Sequence, residues 1–148
     1  MALATRYRTF LTVAQSDVVS TNAASELSAV HEREAKQYNR ATWDKLIDHS
    51  LIEWGRDPSQ IDDGESPTPS RKTIQTAFQL AVVLRDAEWS VPTRIVPDVH
   101  AGIVFERVGK SIFESIHIFA NGEIEYRRFK NGHLERREPW AFEADQTT

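Results

Sequence analysis

The 148-residue sequence contains no cysteine, which removes disulfide frameworks, thiol nucleophiles and thiolate zinc sites in one step. It has no apolar run approaching the ~20 residues of a membrane-spanning helix. Residues 1–10 carry Arg6 and Arg8 and lack the uninterrupted apolar region and small-residue cleavage site of a secretory signal. Positive charge is not in excess either. The formal net charge is −4, whereas general nucleic-acid affinity comes from clustered Lys and Arg. With 40% hydrophobic and 27% charged residues, the chain has the composition of one ordinary domain able to bury a core without staples. These absences predict a cytoplasmic protein.

Catalytic spacings are missing as well. The five histidines are His31, His49, His100, His117 and His133. His31-Glu32 begins like a zinc-protease helix, but Ala35 stands where HExxH needs its second histidine. Asp57, Asp62, Asp63 and Glu65 do not follow an EF-hand spacing, and aspartates in such a loop serve as turn formers. Asp98 and His100 share a loop with no nucleophile or phosphate loop near them in sequence. No enzyme, cofactor or metal is expected.

Two Asn-Gly pairs, Asn121-Gly122 and Asn131-Gly132, lie ten residues apart. Asn-Gly is the strongest short-range hairpin signal, because a type I′ turn needs φ > 0 at both central positions. They predict a four-stranded antiparallel meander over 103–138: strands at 103–107, 111–120, 123–130 and 133–138, stopped by Pro139. Upstream, 23–39 reads as a solvated helix with Leu27, Val30 and Tyr38 along one side. Thr42 reads as the N-cap of a second helix in which Trp43, Leu46, Ile47, Leu51 and Trp54 recur at helical spacing, up to Gly55. A proline-rich acidic loop, 57–69, leads to Ser70, the N-cap of a third helix ending near Glu88. Pro92 and Pro97 bracket a short extended segment, 93–96. The expected fold is α+β: an arm or short strand over 1–22, helices over 23–88 with one packed on the meander, and a tail over 139–148 in which Trp140 and Phe142 act as anchors.

A two-residue turn at Asn121-Gly122 would pair Phe119 with Ile124, His117 with Tyr126 and Ser115 with Arg128. That register leaves Ile112, Ile116 and Ile118 on the other face, with Phe129 opposite Leu134 on the isoleucine side. Both faces are then partly apolar. Either helices cover one face and the N-terminal segment or Trp140 the other, or one face is an interface. The candidate partner-binding residues are Trp43, Trp54, Ile112, Ile116, Ile118, Phe129 and Leu134. Arg127, Arg128, Lys130, Arg136 and Arg137 form the densest basic set, with Arg127 expected to face Arg136.

The chain also resembles a group of small bacterial α+β proteins with no assigned activity. The matching pieces are Asp63-Gly64-Glu65 before Pro67-Thr68-Pro69-Ser70, the helix over 74–84, Pro92 to Pro97, Gly102-Ile103-Val104-Phe105-Glu106 and Asn121-Gly122-Glu123-Ile124-Glu125-Tyr126. Asp62, Ala101 and Arg107 depart from the tryptophan, glycine and tryptophan of that pattern. The resemblance implies an accessory product of a bacterial operon, regulatory or toxin-neutralising. The functional expectation is a non-enzymatic protein that binds a protein partner or its own copies. A nucleic-acid contact through the basic hairpin and a small enzyme are the alternatives.

Overall fold

A computed structural model of the protein describes residues 23–142; the expected arm over 1–22 and the end of the tail, 143–148, lie outside the described residues. Helix α1, Ala23–Leu46, continues without interruption through a π-helical stretch, Ile47–Ile52, into α2, Glu53–Arg56. The expected break at Thr42 does not occur. No proline or glycine precedes Gly55 in this run, and the Thr42 hydroxyl donates back to the Tyr38 carbonyl at 2.8 Å instead of capping a helix start. The wider π turn reverses the drift that four-residue spacing accumulates in an α-helix, so Trp43, Ile47 and Leu51 all remain buried.

The loop that follows holds a 3₁₀ turn, Pro58–Ile61, and its aspartates are turn formers. Asp62 Oδ1 accepts from the Gly64 N–H at 2.9 Å, and Asp63 Oδ1 accepts from Glu65 and Ser66 at 2.9 and 2.7 Å. Backbone donation from Ser66, then Glu65, holds the Asp63 carboxyl below its usual range. Helix α3, Arg71–Asp86, starts as expected: the Ser70 Oγ accepts from the Thr73 N–H at 3.1 Å. Its buried stripe contains two alanines, Ala77 and Ala81, with no exposed surface, which lets the helix approach the sheet closely.

Helix α3 ends two residues earlier than expected, by a chain reversal without glycine. Trp89 N–H bonds to Leu84 O at 3.0 Å and Glu88 N–H to Arg85 O at 3.0 Å, the bond pair of a Schellman motif. Glu88, at φ 59°, takes the left-handed position that glycine normally fills. The motif delivers Trp89 back over Leu84. The Trp89 carbonyl is then clamped by Asn39 Nδ2 and Trp43 Nε1, each donating at 2.8 Å.

Among the described residues the sheet has five antiparallel strands in the order β1 (Arg94–Pro97), β2 (Ile103–Val108), β3 (Ile112–Ile118), β4 (Ile124–Lys130), β5 (His133–Trp140). The extra strand is the short segment between the prolines. An edge strand needs partners on one side only, so Pro92 and Pro97 at its margins cost no ladder bond, and Thr93 extends the pairing through its N–H to Glu106 O at 2.7 Å. For the same reason Pro139 does not end β5, which pairs Pro139 with Glu125 and reaches Trp140.

The Asn131-Gly132 turn has both residues at positive φ, 51° and 79°, and sets Phe129 opposite Leu134. The other Asn-Gly pair behaves differently. Phe119 pairs with Glu123, Gly122 N–H bonds to Phe119 O at 3.0 Å, and Gly122 alone is left-handed, at 89°, giving a three-residue loop of the type I-plus-glycine kind. The register is thus one residue from the expected one: Ile118 opposes Ile124, Ile116 opposes Tyr126 and His117 opposes Glu125. Such a slip exchanges the faces. It wins because it places isoleucine on isoleucine and tyrosine in the core. Every sheet residue of the main core, including Ile95, Ile103, Phe105, Ile116, Ile118, Ile124, Tyr126 and Trp140, belongs to one face, packed against Trp43, Ile74, Leu80 and Leu84.

Candidate functional site

On the opposite face of the sheet the side chains form transverse rows, because antiparallel partners stand side by side. At the Asn131-Gly132 end the row is Val108, Phe113, Phe129, Leu134. Phe113 and Phe129 are half-buried with rings 5.9 Å apart, while the outer members, Val108 and Leu134, are 56% and 52% exposed. The next row is charged: Arg94, Glu106, Ser115, Arg127, Arg137. Arg94 pairs with Glu106, and Arg127 and Arg137 converge on Glu125, the latter at 3.0 Å. Burial alone would raise the Glu125 carboxyl, but hydrogen bonds from Arg127 and Arg137 carry it below its ordinary value. In the third row His117 bonds Ser115 Oγ at 3.1 Å and stacks on Phe119. Burial first, then the charge of Arg127, lowers its pKa. The imidazole thus packs between a hydroxyl and a phenyl ring, where burial works against its protonation.

Alternation divides the basic set that the sequence presents as one patch. Arg127 and Arg137 lie on this open face and oppose each other, whereas Arg128 and Arg136 form a second facing pair on the core side. The expected Arg127–Arg136 pairing fails because a bulge near Arg128 leaves Glu135 without an opposite residue. Lys130 also falls on the core-side face, opposite Ile112. Each of the four arginines has a carboxylate contact, so the set does not present a bare cationic strip for phosphates.

The other candidates scatter. Trp43, Ile116 and Ile118 are core residues at 1, 6 and 1% exposure; as partner-binding residues they are corrected, the register slip having moved the isoleucines under the helices. Trp54 is half-buried against that core, and Ile112 is half-buried on the core-side face of the sheet. Phe129 and Leu134 do lie on the open face. Val108 and Phe113 complete their row and were missed. The signal for them was the count of apolar pairs in the alternative register, which favours isoleucine on isoleucine.

A second surface feature is α1 itself. From Glu26 to Tyr38 every residue is exposed, and the turns before Lys36 stand clear of the body. Attachment begins at Lys36 and Arg40, which reach Glu88 and Asp86 at 3.5 and 3.1 Å. Leu27, Val30 and Tyr38, 63, 47 and 75% exposed, share one side, with Glu34 among them and Glu26 beside Val30. Among the described residues no group of three or more His, Asp or Glu is placed to hold a metal ion, and no helix is long and apolar enough to cross a membrane. No protein-family model matches the chain, and no curated protein or solved structure does.

Proposed function

We propose that the protein is a non-enzymatic, self-associating interaction protein in which the projecting part of α1 from one copy lies across the open sheet face of another. The observation that carries this reading is the complementarity of two surfaces on one chain, each with large apolar side chains exposed: Val108 and Leu134 on the sheet, Leu27, Val30 and Tyr38 on the helix. The apolar row crosses three inter-strand gaps of ~4.8 Å, roughly 14 Å in all; the stripe from Leu27 to Tyr38 rises roughly 16 Å along its helix. The row is bordered by Arg127 and Arg137, and the stripe is interrupted and flanked by Glu34 and Glu26. A free-standing helix of this length is marginal in water, and a sheet face with an exposed apolar row is a recognised docking surface. Reciprocal placement of two helices on two sheets makes a closed two-fold contact.

Edge-to-edge pairing is a poorer route to assembly. The β5 edge carries a bulge, Pro139 and alternating charges, the devices that blunt a strand edge. Sedimentation of the purified chain tests the proposal. A dimer that Leu27→Lys and Leu134→Lys each dissolve supports it. A monomer at every accessible concentration overturns it, and so does a dimer that responds to Leu27→Lys alone, which would be helix on helix.

A further inference from the structure

Past the end of α3, on the core side of the sheet, a cleft of about 320 Å³ opens between the Ala87–Ser90 reversal and strands β3, β4 and β5. This volume is at the small end of ligand sites. Its aromatic wall is fixed from behind. Trp89 stands edge-on to Tyr126 and Trp140, with centroids at 6.1 and 5.4 Å, and Tyr126 and Trp140 are parallel at 5.4 Å. The Schellman reversal and the two donors on its carbonyl hold Trp89 in place.

The polar groups of the cleft are unevenly committed. Glu114 receives Arg107 Nη2 and the Tyr126 hydroxyl, the latter at 2.8 Å. Burial, then this bond, pushes the Tyr126 phenol far above its ordinary value, so its proton stays on Glu114's side of the cleft. Glu138 receives Arg136 Nε at 2.9 Å and Trp140 Nε1 at 3.0 Å. The carboxylates are thus occupied as acceptors. Arg128 is not occupied as a donor. It faces Arg136 across the strands, a like-charge juxtaposition that costs stability unless an anion intervenes. Its Nε lies 3.1 Å from Glu135 Oε2, but the atom is shielded from solvent and the contact lacks hydrogen-bond geometry. The contact is electrostatic only, and the planar donor fork of Arg128 is unspent.

The unspent fork of Arg128, spent acceptors and a ring wall define one ligand chemistry. We infer that the cleft binds a monocarboxylate with an aromatic body, Arg128 holding the carboxylate, Arg136 adding its charge while bonded to Glu138, and Trp89, Tyr126 and Trp140 lining the ring. A guanidinium fork matches a carboxylate in the bidentate manner. A phosphate dianion is disfavoured by Glu114 and Glu138 at the border. The carboxylate can belong to a free aromatic acid or to the C-terminus of a peptide.

Isothermal titration of the full chain with phenylacetate, with a tripeptide ending in phenylalanine, with phenylacetamide and with inorganic phosphate tests this, the indole N–H resonances of Trp89 and Trp140 reporting the place of binding. Saturable binding of either carboxylate supports the assignment, and the tighter one names the source. Arg128→Gln should weaken it roughly tenfold or more, the scale of a charged hydrogen-bond pair. Arg128→Lys, which keeps the charge but not the fork, should weaken it several-fold, and Lys110→Gln should leave it unchanged. No saturable carboxylate binding, phenylacetamide or phosphate binding as tightly, or wild-type affinity in folded Arg128→Gln each overturns it. Oligomeric state is read on the same samples, so loss of ligand with an intact dimer separates this site from the assembly surface.

Discussion

The Trp89 carbonyl is served by two donors from α1, Asn39 Nδ2 and Trp43 Nε1, both at 2.8 Å, and this duplication makes a sharp energetic prediction. Trp43→Phe removes one donor and leaves part of the indole volume empty. The hydrogen bond contributes about 1 kcal/mol and the unfilled core space about 1–2 kcal/mol more, while the carbonyl keeps Asn39. Asn39→Ala removes the other donor and also the acceptor of the Val91 N–H, at 2.8 Å, for a loss of about 2 kcal/mol. In the double variant the carbonyl has neither donor. Removing both donors from a partly buried acceptor costs about 1 kcal/mol beyond the lost bonds, so the double loss should exceed the sum of the singles by about 1 kcal/mol. Urea unfolding midpoints of the four proteins, with unchanged m-values, measure this coupling. Additivity within about 0.4 kcal/mol would show that the carbonyl is not shared in this way.

Glu88→Gly should stabilise the chain by about 1 kcal/mol, because glycine takes the left-handed C′ position without the steric cost borne by Glu88, and the Lys36–Glu88 pair that is lost is exposed; thermal unfolding at unchanged or lower midpoint would contradict this. Acid should destabilise the sheet in two successive windows. His117 has a folded pKa below its ordinary 6.5, so the unfolded chain takes the proton first and stability falls as pH drops from there through the folded value. The contribution of Glu125, complete above its ordinary 4.5, is lost as pH falls through its depressed folded value. His117→Gln should flatten the first window alone; equal slopes of urea midpoint against pH just below 6.5 would refute it.

Elements whose cause is local were legible in the sequence. Ser70 caps α3 because a hydroxyl three residues before a free N–H needs nothing else. Asn131-Gly132 makes a two-residue turn because both of its residues can be left-handed. Elements decided by competition were not legible. Thr42 has the side chain of a cap, but the hydroxyl serves the helix backbone equally well when no breaker interrupts the chain. The end of α3 carries no glycine, so the signal for a Schellman reversal is missing although the bonds are made. The short strand between Pro92 and Pro97 depends on β2 being next to it, which is tertiary information.

The arginines show why the surface chemistry was harder still to read than the fold. Two single-residue decisions, the three-residue loop over 120–122 and the unpaired Glu135, determine which face each arginine takes and which one it meets. Together they create the same electrostatic problem twice, Arg127 against Arg137 on the open face and Arg128 against Arg136 on the core side. On the open face Glu125 accepts from both arginines, and the problem is solved internally. On the core side Glu135 touches Arg128 but not Arg136, and Glu138 pairs with Arg136 but not with Arg128. Among the described residues no carboxylate bridges that pair, and the cleft lies where the bridge would be. A basic patch read from spacing alone treats the two pairs as equivalent. Their difference lies in where one glutamate stands, and it makes the core-side pair, not the open-face one, the place for a foreign carboxylate.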